Sequence, residues 1–320
     1  MSTIDKKFSG WSVVAGCFLM SFFVNAIVGN TTSLFMAPIC QQFGFDTGSY
    51  SLVTLFGALA TAVAAMLLAP LLKDKNIKLV MMACVAVTGI SFAVMGLCTK
   101  LWQFILVFAV SSAGLAGVSN LPIAMMVTAW FNDYRSTAMS IGFSGCSLGA
   151  SFWSILFGKI ISDGGWTTCY FLGGTLVAVM GLIIIPIFMK KSPQMYGQQP
   201  YISATPNNQS SKKSHGHEWL GLSKKEALKT PYFLILSIIV ILIGSLYTGV
   251  ITHAVNYLVS IGWDITAAST VLSLYSLVSI AGVFAGGLIF DKLGLRIGTL
   301  LSVICACIGL AALIFAHIPL

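Results

Sequence analysis

Apolar residues fall in nine long runs, at about 11–36, 48–72, 78–98, 101–128, 136–160, 167–189, 231–259, 266–290 and 297–317. Each matches or exceeds the roughly twenty residues a helix needs to cross a ~30 Å hydrocarbon layer. The pattern predicts an all-α integral membrane protein. The polar breaks are lopsided. If successive runs alternate in direction, fifteen of the seventeen basic residues (Lys6 through Lys78, Arg135, Lys190 through Lys229, Lys292 and Arg296) share one side, and Lys100 and Lys159 face the other. Cytoplasmic loops carry the Lys/Arg excess. The expectation is a multi-pass protein of the cell (inner) membrane with a cytoplasmic N-terminus.

Composition changes this picture little. Hydrophobic residues make up 57% of the chain, charged residues 8%, and mean hydropathy is +0.93. A soluble domain carries about 25% charged residues. The net charge of +8 therefore reads as a topology signal, not as a nucleic-acid surface. The first run is too long for the h-region of a signal peptide, and no small-residue cleavage site follows it. The eight cysteines are scattered. Cys305 and Cys307 would point about 200° apart on a helix, which argues against a shared metal, and no cofactor motif is present.

Six runs precede a polar stretch and three follow it. The expected domains are a six-helix bundle over 1–190, a cytoplasmic linker over 191–230 and a partial bundle of three helices over 231–320. The middle of the linker is too polar to fold alone. Its end, Ser223-Lys224-Lys225-Glu226, is a capping-box pattern that predicts a short amphipathic helix. The loop after the second run, Ala69-Pro70-Leu71-Leu72-Lys73-Asp74-Lys75-Asn76-Ile77-Lys78, is echoed after the eighth by Gly286-Gly287-Leu288-Ile289-Phe290-Asp291-Lys292-Leu293-Gly294-Leu295-Arg296. Two copies of one unit are a pattern of secondary transporters.

The second loop resembles the G-x-L-x-D-[RK]-x-G-x-[RK] loop of the major facilitator superfamily at Gly286, Leu288, Asp291, Lys292, Gly294 and Arg296; the first copy is degraded. Trp130-Phe131 with Arg135, Ala138, Gly145 and Gly149 is similar to the start of the fifth helix in the oxalate/formate antiporter and monocarboxylate porter families. Gly221 to Phe233 resembles the segment that opens their seventh helix, and Gly10-Trp11 fits their first. The resemblance implies the major facilitator fold, with Asp74, Lys75, Arg135, Gly286, Asp291, Lys292, Gly294 and Arg296 gating at the cytoplasmic ends of helices. It also implies twelve spans against the nine read here, so the sequence is expected to be truncated at its C-terminus.

A charge at mid-membrane costs about 2.5–3.5 kcal/mol, and all nine acidic residues fall in loops or at span ends. The runs thus contain no carboxylate relay. They also lack the basic residue that oxalate-type carriers place on the eighth helix. The cavity is expected to be polar and uncharged, with Asn25, Asn30, Thr32, Asn120, Ser144, Ser147, Ser151, His253, Asn256, Tyr257, Tyr275 and Ser279 as candidates for its wall. Asn120 precedes Leu121-Pro122, which should kink the fourth span. His253 shares a helical face with Gly249, Asn256 and Tyr257; substrate partner and locally bonded side chain are both open for it. On the fifth span the serines form one ridge and Gly142, Gly145 and Gly149 another. Gly145, Gly149, Gly282 and Gly286 are expected to let the fifth and eighth helices approach closely.

The reading is not an enzyme but a secondary active transporter, antiporter or symporter, moving a small solute by alternating access. A small organic anion is the first expectation, efflux of apolar or weakly polar compounds the second, and a non-transporting sensor or scaffold an alternative of another class. The expected partners are the lipid bilayer and the solute, with a coupling proton or counter-anion left open; nucleic acid is not among them.

Overall fold

The computed structural model describes residues 9–73, 77–163, 165–201, 226, 230–260 and 262–315, almost all of them helical. Asp74, Lys75 and, apart from Glu226, the short helix expected around Ser223 lie outside the described residues, as do the side chains of Asp291, Lys292 and Arg296. Among the described residues seven helices are long and apolar enough to cross a membrane, and two shorter apolar helices, Phe233–Ser245 and Ile297–Gly309, fall in the seventh and ninth runs.

The first span runs from Gly10 to Phe43, seven residues beyond the end its apolar run suggests. Gln42 is held in the helix because the indole N–H of Trp166 donates to its Oε1 at 2.6 Å. The middle of this span, Ser21–Asn30, is a π-helix between the α-helices Gly10–Met20 and Thr32–Phe43. A π-helix bonds i to i+5, so returning to α geometry leaves carbonyls whose usual donors have shifted. Two hydroxyls meet them: Thr31 Oγ1 donates to the Ile27 carbonyl at 2.6 Å and Thr32 Oγ1 to that of Val28 at 2.7 Å. Near the start of the segment, Trp153 Nε1 donates to the Phe22 carbonyl at 3.1 Å.

The second span is Thr47–Lys73, the third Ile77–Leu97 and the sixth Trp166–Phe188. The fourth is broken: Leu101–Ala116 ends at Gly117, and the chain resumes at Asn120–Trp130. The break falls just before Pro122, where a missing N–H would interrupt a continuous helix. The fifth span, Arg135–Ser162, packs on the first. Between the first, third and sixth spans Phe35 stacks on Tyr170 at 4.1 Å, and Phe92 meets Tyr170 edge-on at 5.0 Å.

The seventh span is Pro231–Ser260. The eighth and ninth runs form one helical stretch, Ile265–Phe315, interrupted only at Gly294, with φ 79° and ψ 173°. That conformation is open essentially to glycine alone, which gives this loop glycine a structural reason. At the opposite end of the eighth span, Asp264 Oδ2 accepts the Thr266 N–H at 2.9 Å. These hydrogen bonds to the Thr266 side chain and backbone hold the exposed Asp264 carboxyl below the usual carboxylate range.

Candidate functional site

A cavity of about 160 Å³ lies between the first, second, fourth and seventh spans. Its wall begins where the π-helix ends, at Val28, Gly29 and Asn30, and continues through Thr32 and Ser33. The second span adds Thr54 and Thr61, the fourth Ser112, and the seventh Thr248 and Thr252. Hydroxyls and one amide face apolar Phe108 and Leu115, and no lining residue is ionisable. π-segments inside helices are frequent at functional sites; here one delivers Asn30 to the wall. The Asn30 amide is also held from behind, with Nδ2 3.1 Å from Cys146 Sγ on the fifth span.

Of the sequence candidates, Asn30 and Thr32 line this cavity. Asn25 is buried on the π-segment. Asn120 sits exposed at the restart of the fourth span. The seventh helix turns Thr248 and Thr252 to the cavity, so His253, one residue and about 100° further round, is exposed and outside the wall. Asn256 is half-buried and Tyr257 exposed, also outside it. Thr54, Thr61, Thr248 and Thr252 went unnoticed in the sequence. The i, i+4 pair Thr248/Thr252 and the seven-residue step from Thr54 to Thr61 were the available signals.

The serines do something else. Ser147 Oγ lies 2.7 Å from Ser279 Oγ, and Ser151 Oγ 2.8 Å from Ser273 Oγ. These pairs join the fifth span to the eighth. A side chain added at Gly287 would meet Ser140, and one at Gly158 would meet Ser269. The fifth–eighth contact is therefore a seam of hydroxyls and two glycines. Ser144 is buried and donates to its own Ile141 carbonyl at 2.8 Å. Tyr275 is exposed.

The glycines expected on this seam are elsewhere. Gly145 packs on the backbone of Phe18 and Gly149 on that of Phe22, both on the first span. Gly282 and Gly286 have open space where a Cβ would stand. The eighth helix turns Gly287 to the fifth, and one residue of offset rotates its neighbour away. At the end of the bundle where the described basic residues gather, Arg135 Nε donates to the Phe131 carbonyl at 2.7 Å and Nη2 to Asn132 Oδ1 at 3.1 Å.

The chain is 24% identical over 213 residues to the Membrane sensor protein UhpC of Salmonella typhimurium, covering 64% of this chain and 47% of that protein. It is 23% identical over 188 residues to the MFS-type transporter pytF of Aspergillus terreus, covering 57% and 63%. The chain thus spans between about half and two thirds of the length of these relatives. Its fold is similar to crystal structures of a bacterial homologue of the human lysosomal transporter Spinster. The inward-facing unoccupied form matches with a TM-score of 0.63 at 19% identity, over 90% of this chain and 64% of that one. The inward-facing occupied form gives a TM-score of 0.61, also at 19% identity, over 91% and 63%. The sequence profile of the Major Facilitator Superfamily matches residues 18–320, and the chain belongs to that family.

Proposed function

We propose that this protein is a secondary active transporter that moves a small solute by alternating access, with its basic end in the cytoplasm and its body in the cell membrane. The observation that carries this is the cavity, polar and uncharged, walled by the first, second and fourth spans on one side and by Thr248 and Thr252 of the seventh on the other. A site shared by two halves is exposed to one side or the other as the halves rock. The hydroxyl seam between the fifth and eighth spans is the surface on which they would move.

A small organic anion remains the first substrate class, on the resemblance of Trp130-Phe131 and Arg135 to the oxalate/formate and monocarboxylate families. Its carboxylate would accept hydrogen bonds from Asn30 Nδ2 and the threonine hydroxyls. The uncharged wall favours a second reading, a neutral solute with hydroxyl or amide groups. A coupling proton or counter-anion belongs to the first reading. The resemblance to a membrane sensor supports the remaining class, solute binding without transport.

The test is uptake by the protein in proteoliposomes supplied with labelled oxalate, formate, lactate or glycerol. Saturable uptake of one of these, lowered tenfold or more by Thr252→Val or Asn30→Ala, is the expected result. Saturable binding with no uptake of any bound solute would replace the transporter with the sensor.

A further inference from the structure

The stretch that leaves the sixth span does not hang free. Trp130 Nε1 donates to the Lys190 carbonyl at 2.8 Å. The Tyr201 N–H donates to the Trp130 carbonyl at 2.9 Å, and the Tyr201 carbonyl accepts the N–H groups of Asn132 and Asp133 at 3.1 and 3.3 Å. Phe131 and Tyr201 thereby form a parallel bridge. Between these two anchors Pro193–Tyr196 makes a 3₁₀ turn closed at Gly197, and the Ser9 N–H donates to Gln198 Oε1 at 3.1 Å. Rings fill the space: Phe131 lies 5.2 Å from Trp11 and 5.9 Å from Tyr201, and Lys190 Nζ sits 5.2 Å over the Tyr196 ring. Trp130 and Phe131 are fully buried.

What the strap grips is the turn into the fifth span. Tyr134, the residue before that helix, has φ 58° and ψ 32°, a left-handed conformation unfavourable for a residue with a Cβ. Such a residue persists where its surroundings over-determine it. Here the surroundings are Arg135 on the Phe131 carbonyl and Tyr201 on both sides of the same peptide run. A longer free tether alone would change little, because loop-closure cost grows only with the logarithm of length. The strap therefore acts through the turn. The fifth span that the turn begins is also the helix that forms the hydroxyl seam with the eighth.

We propose that Lys190–Tyr201 is a clamp that locks the head of the fifth helix, and that its release loosens the seam between the fifth and eighth spans. The clamp rests on its own contacts and does not depend on transport. The seam response rests on the proposed motion.

Hydrogen exchange followed by mass spectrometry on the purified protein in nanodiscs separates the two. Trp130→Phe deletes one donor and keeps a ring; Tyr201→Pro deletes the N–H that reaches Trp130. In the wild type the amides of residues 131–138 and 194–201 exchange slowly. In either variant both peptides exchange at least tenfold faster, while peptides from the second and third spans are unchanged, which shows that the bundle is folded. Residues 147–158 then exchange faster as well. Fast exchange of 194–201 in the wild type, or loss of protection there with none at 131–138, overturns the clamp. A response at 131–138 with none at 147–158 overturns the link to the seam and leaves the proposed function untouched. If Tyr201→Pro fails to fold, Trp130→Phe alone decides.

Discussion

The fifth span meets one neighbour with glycines and the other with serines. Toward the first span, Gly145 and Gly149 let two backbones touch; a Cβ at Gly149 would stand 2.5 Å from the Phe22 carbonyl and 2.6 Å from the Ala26 Cβ. At Gly145 the three nearest atoms are all Phe18 main chain, so nothing there can yield without moving it. Toward the eighth span, the contacts are side-chain hydroxyls. Ser279 Oγ is 2.7 Å from both Ser147 Oγ and the Ser276 carbonyl. A hydroxyl has one proton, so Ser279 can spend it at home or across the seam, with Ser147 donating in return. Ser269 has the same recourse in the Thr266 carbonyl at 2.8 Å. The first face is backbone against backbone at these glycines; on the second, Ser279 and Ser269 keep an acceptor within their own helix.

The largest effect separating the two faces comes from one substitution made on each. Gly145→Ala drives a methyl group into the Phe18 backbone. Overpacking of this kind costs about 1–3 kcal/mol, so a fall in thermal midpoint of several degrees is expected. Gly287→Ala meets the Ser140 side chain instead, and a hydroxyl can rotate away. Its midpoint should stay within a degree or two of wild type. Equal losses would mean that the two faces are alike.

A smaller effect is expected from Ser151→Ala combined with Ser273→Ala, the one seam pair held at 2.8 Å. Interhelical hydrogen bonds in membranes average about 0.6 kcal/mol in double-mutant cycles. The coupling measured by denaturant unfolding should be under 1 kcal/mol. A coupling well above that would make the seam a lock.

The smallest effect lies off both faces. Asp264→Ala removes the cap of the eighth span. Because the folded-state pKa is depressed below its ordinary value of 3.8, the stabilisation is complete above that pH and fades as pH falls through the lower folded-state value. The variant should be slightly less stable than wild type at neutral pH, and the gap should close in strong acid. A gap that persists unchanged at the lowest pH would point to packing and not to the carboxylate.

Much of this fold was legible because the bilayer demands long apolar runs and leaves charges at their ends. The break near Pro122 was visible for a similar reason, since it follows from a local backbone rule. Partners were not. The ridge of Gly145 and Gly149 was plain in the spacing, but spacing cannot say which neighbour a ridge faces, and it faced the first span. The π-segment rotated the face of the first span, so Asn30 reached the cavity while Asn25 stayed buried beside it. Thr248 and Thr252 carry no charge to mark them in the sequence, unlike the ionisable His253 beside them. The strap was invisible because Ser192 through Tyr201 has the composition of a linker, and its order comes from Trp130 and Phe131, sixty and seventy positions away.

The central claim is that the fifth span is fixed to the first and moves against the eighth. Spin labels at three exposed positions test it by pulsed dipolar spectroscopy in nanodiscs: Gln41 on the first span, Ser162 on the fifth and Ala267 on the eighth. The account predicts one narrow distance between Gln41 and Ser162, and two populations or a broad distribution between Ser162 and Ala267. A single narrow distance for both pairs, unchanged by any solute the protein binds, would contradict it.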